Sequence, residues 1–142
     1  MAGNFKLTFN PFTSGFDYAP VDVDFSILND VQCEAGTVVG DAVRMSSGIA
    51  IRAIANNITN SNIIGIVESI EDDGVARIRI GGLTSEIYTG LEENKDYYLS
   101  DSDPGKLTTI PPSNSGSIIL RVGQAFSSTR LIVSKGLSLV LA

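Results

Sequence analysis

Residues 63–80 read IIGIVESIEDDGVARIRI, and this stretch decides the fold class. Its last six residues alternate between an apolar face and a face that carries two arginines: Ala76, Ile78 and Ile80 against Val75, Arg77 and Arg79. A period of two predicts a strand with one buried face. Residues 63–70 form a second apolar run, and Asp73-Gly74 between the runs permits the positive φ of a tight turn. The stretch therefore predicts an antiparallel hairpin.

The sequence beyond residue 30 continues as short apolar runs separated by turn formers such as Gly81-Gly82 and Asp103-Pro104-Gly105. We expect further strands at 42–45, 49–55, 85–88, 97–100, 106–110, 117–125 and 130–134. No window shows a helical stripe, and Ile, Val and Thr dominate the runs. The expected fold is therefore all-β, a small β-barrel or β-sandwich of short antiparallel strands with an extended N-terminal arm.

Residues 1–29 differ in composition from the rest of the chain. They contain five of the six phenylalanines: Phe5, Phe9, Phe12, Phe16 and Phe25. Turn formers such as Asn10-Pro11 separate these rings, so no single period runs through the segment. We expect residues 1–29 to be an extended aromatic-rich arm and residues 30–142 to be the β-barrel or sandwich domain. The rings could fill pockets of a neighbouring chain, or they could close one end of the chain's own core.

The composition excludes several classes of function. The chain has 142 residues, a net charge of −6, one cysteine, and neither histidine nor tryptophan. Without histidine there is no Ser-His-Asp or Cys-His catalysis and no histidine-bound metal. A single thiol forms no disulfide within the chain. The acidic balance argues against nucleic-acid binding, which needs a basic face. No signal peptide and no apolar run of about 20 residues is present, so we expect no membrane partner and a cytoplasmic origin.

The remaining candidates for chemistry are acidic clusters and the cysteine. The clusters are Glu71, Asp72 and Asp73 in one turn, Asp101 and Asp103 in another, and Asp22 with Asp24 on one strand face. None has the ligand spacing of a calcium loop, so we interpret them as solvated turns. Cys33 lies beside Glu34, which favours a raised thiol pKa and a buried structural role. We therefore expect no catalytic residue, no metal site and no cofactor.

Six arginines lie within or beside the predicted strands: Arg44, Arg52, Arg77, Arg79, Arg121 and Arg130. Alternation projects several of them from one sheet face. This face could be solvated. It could also meet the acidic loops of an identical neighbour, because a guanidinium pairs well with a carboxylate. In the second case we expect Arg77 and Arg79 to be interface residues.

Several short strings in the chain resemble a known group of proteins. They are Gly40-Asp41-Ala42-Val43, Gly48-Ile49-Ala50, Gly65-Ile66-Val67, Tyr97-Tyr98-Leu99-Ser100, Pro104-Gly105-Lys106-Leu107-Thr108 and Val122-Gly123-Gln124-Ala125. Over about residues 36–133 the chain resembles small β-barrel proteins of tailed-bacteriophage virions. These include capsid decoration (cement) proteins and modules of tail or head fibres.

The resemblance implies a non-enzymatic virion protein that forms a homo-oligomer, commonly a trimer. Its expected partners are copies of itself and the major capsid protein or other virion proteins. We expect it on the outer capsid surface after assembly in the host cytoplasm, with Phe5, Phe9, Phe12 and Phe16 anchoring the arm on neighbouring chains. A tail-fibre, head-fibre or baseplate module is the alternative. A cellular carbohydrate-binding or hydrolytic β-domain is a third interpretation, which the absence of tryptophan and histidine disfavours.

Overall fold

The computed structural model describes residues 26–142 and the backbone of two strands that precede them, 6–9 and 15–18. This part of the chain contains fourteen strands and no helix. The strands are β1 (Lys6–Phe9), β2 (Gly15–Tyr18), β3 (Ile27–Gln32), β4 (Ala42–Ser46), β5 (Ile49–Arg52), β6 (Gly65–Ile70), β7 (Val75–Arg79), β8 (Gly82–Leu83), β9 (Asp96–Leu99), β10 (Leu107–Thr108), β11 (Ile118–Ile119), β12 (Arg121–Ala125), β13 (Leu131–Val133) and β14 (Leu139–Val140). The all-β prediction is confirmed. No helix long and apolar enough to cross a membrane occurs among these residues.

The strands form two five-stranded sheets and two small ones. The first sheet has the order β3-β7-β6-β4-β5 and the second the order β10-β9-β12-β13-β8. The pairs β1-β2 and β11-β14 are separate two-stranded sheets, and every ladder is antiparallel. Past the end of β3, Cys33 forms a parallel bridge with Ala50 of β5. The two edges of the first sheet therefore approach each other at one point, although no ladder closes the sheet into a barrel.

The predicted hairpin is confirmed as β6 and β7. Val67 pairs with Ile78, and Ile70 pairs with Ala76. Gly74 has φ +84°, as the Asp-Gly turn requires, and its N–H donates to the carbonyl of Glu71 at 2.9 Å. Ala76 and Ile78 are buried, as the alternation predicted.

The core has two clusters, and the first sheet contributes to both. Consecutive residues of β4 and β6 point to opposite faces, as strand geometry dictates. Ala42 and Ile66 therefore join the larger cluster, which also contains Leu99, Leu120, Val122 and Leu131. Val43 and Val67 join the smaller cluster with Cys33, Ala50, Ala76 and Ile78. The first residues of β4 and β6 are therefore buried on both faces of the sheet, and they join the two clusters.

The strand predicted at 85–88 is wrong. The strand in this region is β8 at Gly82–Leu83, and residues 85–88 have no ladder partner. Their backbone N–H groups instead form separate hydrogen bonds outside any ladder. Ser85 N–H donates to the Glu68 carboxylate at 2.7 Å, and Tyr88 N–H donates to Thr129 O at 3.0 Å. The Tyr88 hydroxyl donates to Gly40 O at 3.0 Å. Side-chain anchoring thus replaces strand pairing here.

Other predicted strands exist with different bounds. The run at 117–125 divides into β11 and β12, because β11 pairs with β14 while β12 pairs with β9 and β13. The run at 106–110 shortens to β10, because Thr108 Oγ1 accepts the N–H of Ile110 at 3.1 Å and turns the chain. The run at 49–55 shortens to β5, after which Ala55 N–H donates to Ser100 O.

The strand β3 extends across the predicted boundary at residue 30. Ile27 and Leu28 pair with Arg79 and Ile78 of β7, so the first sheet begins before that boundary. Within the predicted arm, β1 and β2 pair antiparallel with two register shifts.

Candidate interaction surface

The predicted acidic clusters do not converge into a metal site. Within the described residues no group of three or more His, Cys, Asp or Glu side chains is arranged to hold a metal ion. Glu71, Asp72 and Asp73 are exposed in the β6–β7 turn. Asp22 and Asp24 lie outside the described residues.

Asp101 organises its own turn. Its Oδ2 accepts the Ser117 hydroxyl at 2.7 Å and the Asn114 amide at 3.1 Å. The hydrogen bond from Ser117 holds the pKa of the Asp101 carboxyl below its usual range, with a smaller contribution from Asn114. This carboxylate therefore ties two loops together.

Cys33 is buried in the smaller core cluster. Burial raises the pKa of its thiol, and the charges of Glu34 and Asp41 raise the pKa further. The predicted direction of the shift is confirmed, although desolvation contributes more than the neighbouring glutamate. A thiol that stays protonated is a poor nucleophile, so this environment fits a packing role.

Arg79, a predicted interface residue, has partners within its own chain. Its Nε and Nη2 donate to the Glu68 carboxylate at 2.9 and 3.2 Å, and its Nη1 donates to Ser26 Oγ at 3.0 Å. The side chains are 15% and 6% exposed. Burial by itself would raise the pKa of Glu68, but hydrogen bonds from Arg79 and Ser85 and the Arg79 charge outweigh it and lower that pKa.

The other strand arginines have different surroundings. Arg77, the second predicted interface residue, is exposed, and its Nε donates to Asn29 Oδ1 at 3.2 Å. Arg52 pairs with Glu34, and Arg121 pairs with Asp96. Arg130 donates to the Thr84 carbonyl at 2.8 Å and lies 5.9 Å from the centre of the Phe126 ring. The interface role of Arg77 and Arg79 stays a prediction.

Arg44 is the exception among the arginines. Among residues 26–142 it is the only lysine or arginine whose side chain has neither a hydrogen bond nor an ion pair. Its charge helps to lower the pKa of Glu34, where burial acts in the opposite direction and the hydrogen bonds from Arg52 contribute more. No carboxylate of residues 26–142 forms an ion pair with this guanidinium.

A groove of about 470 Å³ surrounds Arg44. We define the Arg44 groove by the residues that line it: Arg44, Met45, Ile58, Thr59, Asn62 and Ser138. The lining contains a cation and two apolar side chains but no carboxylate. Lys135 adds a second positive charge at the wall, because its Nζ donates to Asn62 Oδ1 at 2.8 Å.

Exposed apolar side chains surround this groove. Ile58 is 55% exposed and Met45 41%. Ser138 lies between Leu137, which is 95% exposed, and Leu139, which is 59% exposed. Val140 also is more than half exposed, so both faces of β14 are open. The sequence indicated no such surface, because the apolar C-terminal run by itself does not reveal whether it is buried.

The predicted aromatic anchors lie where side chains are not described. Phe9 and Phe16 belong to β1 and β2, and Phe9 pairs with Gly15. Phe5 and Phe12 lie outside the described residues. The sixth phenylalanine, Phe126, was not a predicted site, yet it is half exposed on the β12–β13 connection. The anchoring role of the first four stays a prediction.

Comparisons with known proteins identify no relative. No protein-family model, curated protein sequence or solved structure matches this chain.

Proposed function

We propose that the chain is a non-enzymatic structural protein of a tailed-bacteriophage virion, a capsid decoration protein that stabilises the head by binding between capsid subunits. The observation that carries this proposal is the exposed apolar surface around the Arg44 groove and β14. Contiguous exposed apolar patches are typical of surfaces that bind other proteins. The resemblance of residues 36–133 to virion β-barrel proteins supplies the class of partner.

The charges of the chain bear on where such a protein would lie in the virion. Five of the lysines and arginines form ion pairs within the chain, with Glu34, Glu68, Glu92, Asp41 and Asp96. No acidic cluster among these residues has the geometry of a metal site. The net charge of −6 disfavours contact with packaged DNA, so we place the protein on the outer capsid surface.

In this proposal the N-terminal segment contributes contacts to neighbouring chains, with Phe5, Phe9, Phe12 and Phe16 as anchors. Truncation of an aromatic anchor in a well-packed pocket costs about 2 kcal/mol or more of binding free energy. Replacing all four by alanine should weaken binding to capsids that lack the protein. Phe126→Ala is the matched control, since it removes an exposed ring outside that segment. Unchanged capsid affinity after deletion of residues 1–16 would contradict the anchoring role.

Copy number per virion tests the location. Quantitative mass spectrometry of purified particles should find a number comparable with that of capsid subunits, and particles without the protein should lose DNA on mild heating. A few copies per particle, together with intact heads and lost adsorption, would instead identify a fibre or baseplate module.

A further inference from the structure

The Arg44 groove has two unmet requirements. Its guanidinium has no acceptor within the described residues, and Lys135 at its wall is bonded to an amide and a carbonyl rather than to a carboxylate. Ile58, which also lines the groove, leaves apolar surface in water. An occupant with alternating acidic and apolar side chains would satisfy both requirements.

The sequence of this chain contains such a segment. Residues 21–25 read VDVDF, in which apolar and acidic residues alternate. More widely, residues 1–25 contain three aspartates, Asp17, Asp22 and Asp24, against one lysine, Lys6. The segment is therefore acidic and apolar, and the groove is cationic and apolar.

We propose that the Arg44 groove of one copy receives residues 21–25 of a second copy, with Asp22 and Asp24 facing Arg44 and Lys135 and the apolar residues covering Ile58. This inference deepens the proposed function and rests on its assembly role for the N-terminal segment. It gives the N-terminal segment a binding site on another copy of this protein, separate from any contact with the capsid protein.

The position of β3 favours a second copy over the same chain. Phe25 precedes Ser26, whose carbonyl accepts the N–H of Ile80 just beyond β7. In the first sheet β6 separates β7 from β4, the strand that contains Arg44. β3, which follows Ser26, lies beyond β7 in this sheet, so more than about 10 Å separates Ser26 from β4. Asp24 is two residues before Ser26, and two residues span about 7 Å at most, so the backbone of Asp24 in the same chain falls short of β4.

Cross-linking between differently tagged chains tests the proposal directly. One full-length chain carries Ile58→Cys and the other carries Val23→Cys, and each is also examined alone under the same oxidant. The mixture should give a cross-linked heterodimer well above the homodimer yield of either chain. Absence of that excess would overturn the proposal.

Charge exchange tests the pairing. Arg44→Glu should weaken self-association by about tenfold or more in sedimentation equilibrium, and Ile58→Asp should do the same. Lys95→Glu is the control, because it makes the same change in net charge at an exposed site that does not line the groove. Asp22→Lys with Asp24→Lys should restore association of the Arg44→Glu chain. Folding of every variant is checked by its urea midpoint.

The two proposals fail in different ways. Self-association is measured on purified protein without capsids, and capsid binding is measured separately. If association is insensitive to both groove variants, or if the chain is monomeric throughout, the groove assignment is wrong even where capsid binding persists. If association follows the groove variants but no capsid is bound, the decoration function is wrong.

Discussion

The Arg79 guanidinium and the Glu68 carboxylate join β7 to β6 through two hydrogen bonds of 2.9 and 3.2 Å. The same carboxylate accepts the N–H of Ser85 at 2.7 Å, and so holds the segment after β8. Glu68 therefore connects the central hairpin of the first sheet to the chain that enters the second sheet.

Removal of one partner of this pair should be strongly destabilising. Arg79→Met leaves a buried, unpaired carboxylate at Glu68, and we expect the free energy of unfolding to fall by about 3–5 kcal/mol. The double variant with Glu68→Met should recover part of that loss, because it removes the uncompensated charge. Urea unfolding of the three proteins measures both effects. A change of less than about 0.5 kcal/mol for Arg79→Met would contradict the assigned role.

Acid should remove the contribution of Glu68 to stability. Its pKa is lowered in the folded state, where the hydrogen bonds from Arg79 and Ser85 and the Arg79 charge outweigh the effect of burial. The contribution is complete above the unfolded pKa of about 4.3 and is lost as the pH falls through the lower folded value. The stability difference between wild type and Glu68→Gln should therefore shrink below about pH 4.3 in urea midpoints measured from pH 7 to pH 3. Glu93→Gln, at an exposed site, is the control. If the stability difference between wild type and Glu68→Gln stays the same from pH 7 to pH 3, ionisation of Glu68 does not contribute to stability.

Two glycines should resist substitution because backbone lies against them. A Cβ at Gly65 would collide with the Arg79 carbonyl, and one at Gly123 would collide with the Ile132 carbonyl. Each alanine variant should cost about 1–3 kcal/mol of unfolding free energy. Gly81→Ala is the matched control, since a Cβ there meets nothing within 4 Å. Equal effects at all three positions would show that these close approaches are unimportant.

Thr37→Val should stabilise the protein. The Thr37 hydroxyl is buried and has no hydrogen-bond partner in the described part of the chain. An isosteric methyl removes that unpaired polar group, so we expect about 1 kcal/mol of added stability. Thr37→Ser keeps the hydroxyl and loses a methyl, and it should not stabilise. Calorimetric melting of the two variants would decide the point, and a lower Tm for Thr37→Val would count against it.

Local pattern in the sequence predicted the central hairpin and the buried face of β7, because a period of two and an Asp-Gly turn depend on neighbouring residues alone. It also predicted the raised pKa of Cys33, since Glu34 is adjacent in the chain. It failed at 85–88, where the backbone is anchored by Glu68, a residue 17 positions away. The sequence pattern also predicted one strand where the structure has β11 and β12, because a change of pairing partner does not alter a continuous apolar run.

The arginines also show the difference between what neighbouring residues determine and what distant contacts determine. From the sequence, Arg44, Arg77 and Arg79 all lie on predicted strands, and Arg77 and Arg79 are the expected interface residues. Tertiary structure distinguishes them. Arg79 donates to Glu68 and Arg77 donates to Asn29, whereas the Arg44 side chain has no acceptor among residues 26–142. The sequence by itself determined that the chain is all-β, acidic and without histidine. Only the tertiary structure decided which charges are neutralised within the chain and which apolar residues stay exposed, since both depend on contacts between residues distant in sequence.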